Sequence, residues 1–552
     1  MSVSDPQSFP LGTSLPPGDI HAVSASIPTW KNLSDYMAND QAVVDALQIY
    51  YPRFYQHPTV QKLNQAVLDR VGSPENTRCM VFPSKDAAKR CCEYIRKRKG
   101  PNITVHDVSF FLTQHVSQAN RTWARFSAVL FSQEDKDAAN EFWGEMGDGI
   151  SSRHAQFCLD RFQFMSSVSL VPDLQTSETS SDGETIPIEP WHHSDADAKN
   201  DITTIIARLV TSDQPGQEAV NPDDVYLFPK GMCAIRSVAS ILAPGSAKAS
   251  EAVVFGWPYG STPRCVRASG YERFTFFSQG TSEELDRLEA SLASGNRIAS
   301  LFCEVPSNPL CATPDLHRIR SLADQYHFAV VCDETIGTFI NVDVLPYVDV
   351  VITSLTKAFS GACNVMGGSA VLNIKSPWYD LLKSKLNELH EDLVYPLDAK
   401  ILLHNCLDFP TRIQKMNTNA LAIANLLKSC ESILQLNHPS MVATRSLYER
   451  YRRPSGGYGA LLSLVFRDPK SAIRFYDAID LPKGPSLGAN FTLILPYSQL
   501  AHAYELDWAE SHGIAKHIIR ISAGLEDESI LISKVDRALL EVLSLEGHRT
   551  IA

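Results

Sequence analysis

FAVVCDETIGTFINVDVLPYVDVVITSLTKAFSGACNVMGGSAVLN, residues 328–373, decides the fold. Two short apolar runs stand in it. The first ends in Asp333, the second in Ser354-Leu355-Thr356-Lys357, and a glycine-rich return follows. Each run is β-branched and nearly uninterrupted, the pattern of a strand buried on both faces of a parallel sheet. Their polar residues therefore arrive together at the carboxyl ends of neighbouring strands, where open α/β sheets place their ligands.

A carboxylate and a lysine at such an edge are what a pyridoxal phosphate enzyme requires. The lysine amine forms the Schiff base, and the carboxylate keeps the pyridine nitrogen protonated so that the ring can accept electrons. Taken singly, a lysine after a strand is ordinarily a solvated residue and an aspartate there a turn former. The hydroxyls of Ser354 and Thr356 beside Lys357, and the agreement of the rest of the chain, raise the pair above that.

Outward from this stretch, strand and helix alternate. Upstream, strands are expected at 225–228, 252–255 and 298–304, with a Pro229-Lys230-Gly231-Met232 turn before a helix at 233–242. Thr281 and Glu284 form a capping box, and Thr313 with Pro314 opens another helix. This is the rhythm of a doubly wound α/β domain. Downstream, helices run to about 430. Strand-like runs at 461–466 and 518–522 and a final helix near 528–545 predict a smaller α+β domain closing on the large one across a cleft.

Ahead of the large domain, residues 1–45 are rich in Pro, Ser and Gly and read as an extended arm. Tyr51 and Arg53 sit in a loop before a helix striped by Val60, Leu63, Val67 and Leu68. Residues 77–168 mix a short strand at 79–82, a helix ending in Arg96-Lys97-Arg98-Lys99, and an aromatic segment at Phe142-Trp143. The basic run suits a solvated helix end, where cations complement the dipole. Residues 171–200 are acidic and rich in Ser and Thr, and read as a disordered or loosely packed insertion in which His192-His193 is a solvated pair. The expected divisions are 1–75, 76–200, 201–375 and 376–552.

At 552 residues the chain exceeds a single core. A net charge of −12 argues against broad nucleic-acid or anionic-membrane binding. No run approaches ~18 apolar residues, and the start lacks a basic and apolar leader. The twelve cysteines show no CxxC or metal spacing, and Cys303 and Cys332 lie in apolar runs. A reducing, cytoplasmic setting and no metal are expected.

The Lys357 stretch resembles the fold-type I pyridoxal phosphate enzymes of cysteine and methionine metabolism, and most closely the fungal form of cystathionine γ-synthase. The likeness covers nearly the whole chain: SIPTW at 26–30, YPRFYQHP at 51–58, GDGISSR at 147–153, CEVPSNPL at 303–310, RRPSGGYGALLS at 452–463, KGPSLGANFTL at 483–493, YELDWA at 504–509 and RISAGLED at 520–527. The resemblance implies an α/β, aspartate aminotransferase-like transferase with pyridoxal 5'-phosphate. In it Lys357 holds the cofactor and shuttles protons, and Asp333 pairs with the pyridinium nitrogen. Gly231, Met232, Ser354 and Thr356 take the phosphate, Tyr259 stacks on the ring, and Asn308 meets the phenolic oxygen. Arg520 clamps the substrate carboxylate, with Ser486 lining that carboxylate and the lysine. Tyr51 and Arg53 would reach the phosphate of a neighbouring subunit, which implies a homo-oligomer with shared sites, a dimer or a dimer of dimers.

The activity so implied is γ-substitution on an O-acyl-L-homoserine, O-acetyl-L-homoserine foremost, by way of a vinylglycine-type electrophile. The nucleophile is L-cysteine or, in a specialised pathway, an enolisable carbonyl compound forming a carbon–carbon bond. A γ-lyase and a non-catalytic homologue are the rivals. The chain departs from the family at Lys230 and Cys233, where Thr-Gly-Met-Ser is usual, and at Ala362 and Cys363, where the fungal pattern has Asp-Ser.

Overall fold

Residue alternation along five-residue strands builds the centre of the molecule. In the computed structural model, which describes residues 8–72, 74–112, 122–169, 194–243 and 251–547, Val330 and Cys332 face one apolar core while Ala329 and Val331 face another. All four are buried, because helices cover both faces of the sheet.

Four strands precede this sheet in the chain: β1 (Thr77–Phe82), β2 (His106–Leu112), β3 (Arg125–Ser132) and β4 (Met165–Ser169). They pair antiparallel in the order β1-β3-β2-β4. The central sheet holds β5 (Val225–Phe228), β6 (Glu251–Phe255), β7 (Arg273–Phe277), β8 (Ser300–Glu304), β9 (Ala329–Asp333), β10 (Val350–Thr353) and β11 (Gly368–Leu372). Its order is β5-β11-β10-β9-β8-β6-β7, with β11 antiparallel to both neighbours and the pairings from β10 to β7 parallel. The third sheet, β12 (Ile433–Asn437), β13 (Leu461–Phe466), β14 (Leu493–Pro496) and β15 (Ile519–Ser522), is antiparallel in the order β12-β13-β15-β14. The helices Phe409–Lys428, Pro469–Ala478 and Glu528–Leu545 pack on it through Ile423, Phe475 and Val535.

One core cluster joins Ser194–Val210, Ser282–Ala293 and Leu316–Tyr326 to one face of the central sheet. On the other face, Gly231–Leu242 and Tyr379–Leu389 share a core with Lys85–Lys99 and Lys136–Met146, two helices from the inserted 76–200 segment. The first sheet is buried from both sides. Met80, Phe82, Val129 and Phe131 enter this shared core, while Val81, Ala128 and Leu130 pack on Pro58–Val71 and Ser152–Leu159. The insertion is therefore built into the large domain's packing, and its three further strands exceed the single strand that its mixed composition predicts.

Two expectations change. The arm is not simply extended: Thr29 caps the helix Trp30–Met37 through Asn32 N–H, and Asp40 caps Gln41–Ala46. Residues 194–200 belong to the helix Ser194–Val210, with Ala198 buried in the core, so the acidic insertion ends earlier than its composition suggests. The rest of that insertion, with His192-His193, lies outside the described residues. The arm also packs on its own chain's third sheet: Ile27, Leu33 and Tyr36 meet Leu495 and Leu500, and the Tyr476 hydroxyl donates to the Ile27 carbonyl at 2.6 Å. No helix among the described residues is long and apolar enough to cross a membrane.

Candidate active site

Strand register sets the first wall. Ile352 of β10 lies opposite Asp333 of β9, and Asp333 opposite Glu304 of β8, so the chain leaving β10 turns directly beside the carboxylate. That turn is closed by the Lys357 N–H to the Ser354 carbonyl at 3.2 Å. It is pinned by Thr356 Oγ1, which donates to the Gly367 carbonyl at 3.2 Å and accepts from Gly367 N–H at 3.1 Å. Thr335 ties strand end to turn: its N–H donates to Asp333 Oδ1 at 2.9 Å and its hydroxyl oxygen accepts from Ser354 N–H at 2.7 Å.

All twelve residues expected in the site line a single cavity. Lys357 Nζ donates to Ser486 Oγ at 3.0 Å and to the Tyr51 hydroxyl at 3.2 Å. Burial lowers its affinity for a proton, and among the described residues no carboxylate stands within salt-bridge distance to oppose that. Arg520, 6 % exposed, donates through Nη2 to the Ser486 carbonyl at 2.6 Å and through Nη1 to Asn308 Oδ1 at 3.3 Å. Ser486 itself adopts φ +92, a strained left-handed conformation for a side-chain-bearing residue. Its hydroxyl meets Lys357 and its carbonyl meets Arg520. The Tyr259 N–H donates to Glu304 Oε2 at 2.6 Å, and burial pushes its phenol up to about 12. The Arg53 guanidinium stands 5.1 Å above the Tyr259 ring.

Tyr51 and Arg53, which the resemblance assigns to a neighbouring subunit's site, line the cavity of their own chain here. The reason lies in packing. Phe54 and Tyr55 are held against Tyr36, which is anchored on Leu495 and Leu500, so the loop hangs from the chain's own third sheet.

The residues present suit pyridoxal phosphate. A Cβ on Gly231 would stand 2.9 Å from Ser354 Cβ, so only glycine lets the start of the helix Gly231–Leu242 approach the Ser354 turn. The Gly231 and Met232 N–H groups at that helix start and the Ser354 hydroxyl form an anion cradle, which Thr356 joins when its hydroxyl proton leaves the Gly367 carbonyl for a phosphate oxygen. Burial raises the Asp333 carboxyl above its usual range, and among the described residues no cation lies within 4 Å of it; a pyridinium N–H would supply one.

Some wall residues escaped the sequence reading. Glu304, pushed well up by burial and by Asp333, fixes the Tyr259 loop, and the CEVPSNPL motif was its only signal. Trp143, Gly144 and Gly147 come from the inserted segment, where the aromatic pair Phe142-Trp143 and the GDGISSR motif gave no sign of a place in the cavity wall. Of the four departures, only Lys230 lines the cavity. Cys233 is turned away, its thiol donating to the Gly147 carbonyl at 2.9 Å.

Comparison with known proteins agrees with this geometry. Residues 218–540 match the family model for Cys/Met metabolism PLP-dependent enzymes, and residues 59–151 match that for the fungal trans-sulfuration enzyme N-terminal domain. The chain is 48 % identical to the cystathionine gamma-synthase-like protein ankD of Aspergillus thermomutatus, covering 98 % of this chain and 96 % of that protein. It is 36 % identical to cystathionine gamma-synthase of Neurospora crassa over 96 % of this chain and 98 % of the other. The fold is also that of cystathionine gamma synthase from Xanthomonas oryzae pv. oryzae, at a TM-score of 0.53 and 23 % identity over 68 % of this chain and 92 % of that one. The chain thus belongs to the Cys/Met metabolism PLP-dependent enzymes, as a cystathionine gamma-synthase-like member carrying the fungal N-terminal domain.

Proposed function

We propose that the enzyme replaces the γ-acyloxy group of an O-acyl-L-homoserine, O-acetyl-L-homoserine foremost, by a nucleophile. The observation that carries this reading is the double use of Ser486. Its carbonyl receives Arg520 at 2.6 Å while its hydroxyl receives Lys357 at 3.0 Å. A substrate α-carboxylate on the buried, carboxylate-free Arg520 fork then has its α-carbon near the amine.

Bound pyridoxal phosphate supplies the electron sink that makes α- and β-protons of an amino acid acidic. The chain's residues do the rest. Arg520 binds the carboxylate. Lys357, its affinity for a proton lowered by burial, takes the α-proton at Nζ and returns protons to carbon later. The Tyr51 hydroxyl, 3.2 Å from Nζ, and Ser486 hold that amine in position. Asp333, fixed by Thr335, holds a proton at the pyridine nitrogen. Loss of a β-proton to Lys357 Nζ expels the acyloxy group as its carboxylate, and the deprotonated nucleophile adds at the γ-carbon left electrophilic, protons then returning from Nζ to carbon. A second cleft of about 1020 Å³ meets the site at Arg53, Trp143 and Gly144 and gives the acceptor a way in.

For the acceptor, L-cysteine is the simpler reading. Cys233 lies behind the cavity wall and Ala362 is not in its lining, while Cys363 stands just behind that lining with its thiol against Ser486, so of these three departures only Cys363 touches a residue of the site. The test is purified holoenzyme with O-acetyl-L-homoserine and, in turn, L-cysteine, β-keto acids and aldehydes, read by mass spectrometry. Acyl release coupled to a γ-adduct is expected. Release of a 2-oxo acid and ammonia without any nucleophile would instead make the enzyme a γ-lyase.

A further inference from the structure

Lys230 occupies a position that its own helix disfavours. It is the N-cap of Gly231–Leu242, a place for Ser, Thr, Asp or Asn, and its side chain makes no capping bond. A cation there stands at the positive end of the helix dipole and opposes it. Nor is the ammonium compensated within the protein. Among the described residues, no carboxylate lies within 4 Å of Nζ, and its ring contact is the face of Trp143, 5.4 Å from the centroid. The acid that acts on it from further off, Asp148, is already taken by Arg90 at 2.9 Å and Arg236 at 3.1 Å. Burial lowers the lysine's proton affinity. Such a charge lacks its counter-ion.

The surroundings indicate what that counter-ion is. Lys230 lines the same cavity as Gly231, Ser354 and Thr356. Room for the lysine head is kept by Gly149, where a Cβ would stand 3.2 Å from Nζ and 2.3 Å from Trp143 Nε1. A phosphate monoester carries close to two negative charges near neutral pH. The helix end offers about half a charge, and Arg53 is the other guanidinium in that wall besides the substrate's Arg520.

We propose that Lys230 is a further anchor of the cofactor's phosphate, its ammonium completing the cradle formed by the helix start, Ser354 and Thr356. Trp143 is the ledge that holds the ammonium there, so the inserted segment contributes to cofactor retention through this pair. The lysine stands where the family uses a hydroxyl, and it exchanges a neutral hydrogen bond for a charged one.

The test compares two ligands on apoenzyme, pyridoxal phosphate and pyridoxal, the same ring without the phosphate. Binding is followed by absorbance and by tryptophan fluorescence, so that no turnover is needed. Lys230→Met should weaken pyridoxal phosphate ~10- to ~100-fold, the usual worth of a charge-assisted hydrogen bond, and leave pyridoxal within about twofold of its wild-type affinity. Lys230→Arg should recover most of the lost affinity. Inorganic phosphate should compete with pyridoxal phosphate less well on the methionine variant than on wild type. Unchanged pyridoxal phosphate affinity in Lys230→Met, or an equal loss for both ligands, would overturn the assignment in favour of a lysine that only supports the turn. If the methionine variant yields no folded apoenzyme, Lys230→Gln read with the same ligand pair decides by the same criteria.

Discussion

The cavity has two kinds of wall. One is the carboxyl edge of the central sheet, where Asp333, Ser354, Thr356 and Lys357 sit at the ends of β9 and β10. The other is assembled from Tyr51 and Arg53 of the arm and Trp143 and Gly147 of the insertion, segments far away in the chain. Backbone register places the first wall, and any chain with those strands must bring those residues together. Side-chain packing of separate segments places the second, and it holds only while those segments stay docked. In the proposed reaction the first wall carries the chemistry, and the second encloses it.

The largest effect should come from the first wall. Lys357→Ala should lower turnover by at least ~10³-fold, since among the described residues the other lysine of the cavity, Lys230, stands at a helix start rather than in the turn after β10; a loss of less than tenfold in steady-state kinetics would remove the lysine from the reaction. Asp333→Ala comes next. Roughly 10²- to 10³-fold slower exchange of the substrate α-proton with deuterium is expected, with cofactor still bound through the phosphate cradle. Undiminished exchange would contradict the carboxylate's role.

The second wall is probed by mixing subunits. Because Tyr51 and Arg53 enter their own chain's cavity, co-expressed Lys357→Ala and Arg53→Ala chains should recover no activity beyond the sum of the two. Recovery towards half of the wild-type sites would show that arms are exchanged between subunits. Sedimentation of the same samples gives the assembly state alongside.

The smallest effect concerns the join between the walls. Asp148 of the insertion pairs with Arg90 at 2.9 Å and with Arg236 of the helix Gly231–Leu242 at 3.1 Å. Burial would raise its carboxyl, but Arg236 and Arg90 outweigh burial and hold it below the ordinary 3.8. A depressed folded-state value stabilises the fold above the ordinary value, and that contribution fades as pH falls through the folded one. Asp148→Asn should therefore cost about 3 kcal/mol near neutrality and flatten the fall of stability below about pH 4 in acid titration. An acid limb as steep as the parent's would assign that transition to other carboxylates.

Legibility in the sequence follows the same division. Lys357 and Asp333 could be read from apolar runs of strand length, and the doubly wound order from the alternation around them, because both are local patterns. The smaller C-terminal domain was legible for the same reason. Glu304 was visible only inside a motif, since a glutamate closing a strand has no signature of its own. Nothing near Trp143 distinguishes a residue in the cavity wall from any core aromatic. Its place depends on the Lys136–Met146 helix docking against Gly231–Leu242. Tyr51 and Arg53 were found by resemblance, and which chain's cavity they enter depended on how the arm folds back, a contact between residues more than 400 positions apart. Lys230 stood out as a departure, and its bearing emerged only once the ammonium was seen without a carboxylate.

The core shared by the insertion and the central sheet also bears on how this architecture can be altered. Ala88, Ile95 and Phe142 of the insertion and Ala234, Val238 and Leu242 of the Gly231–Leu242 helix are packed into one apolar mass. A graft of that kind can no longer be cut out. Deleting it would strip the buried flank from the Gly231–Leu242 helix and leave an exposed apolar scar. Heating should melt the two in one calorimetric transition rather than in sequence. Engineering that shortens the chain has to begin elsewhere, at loops that both cores can spare.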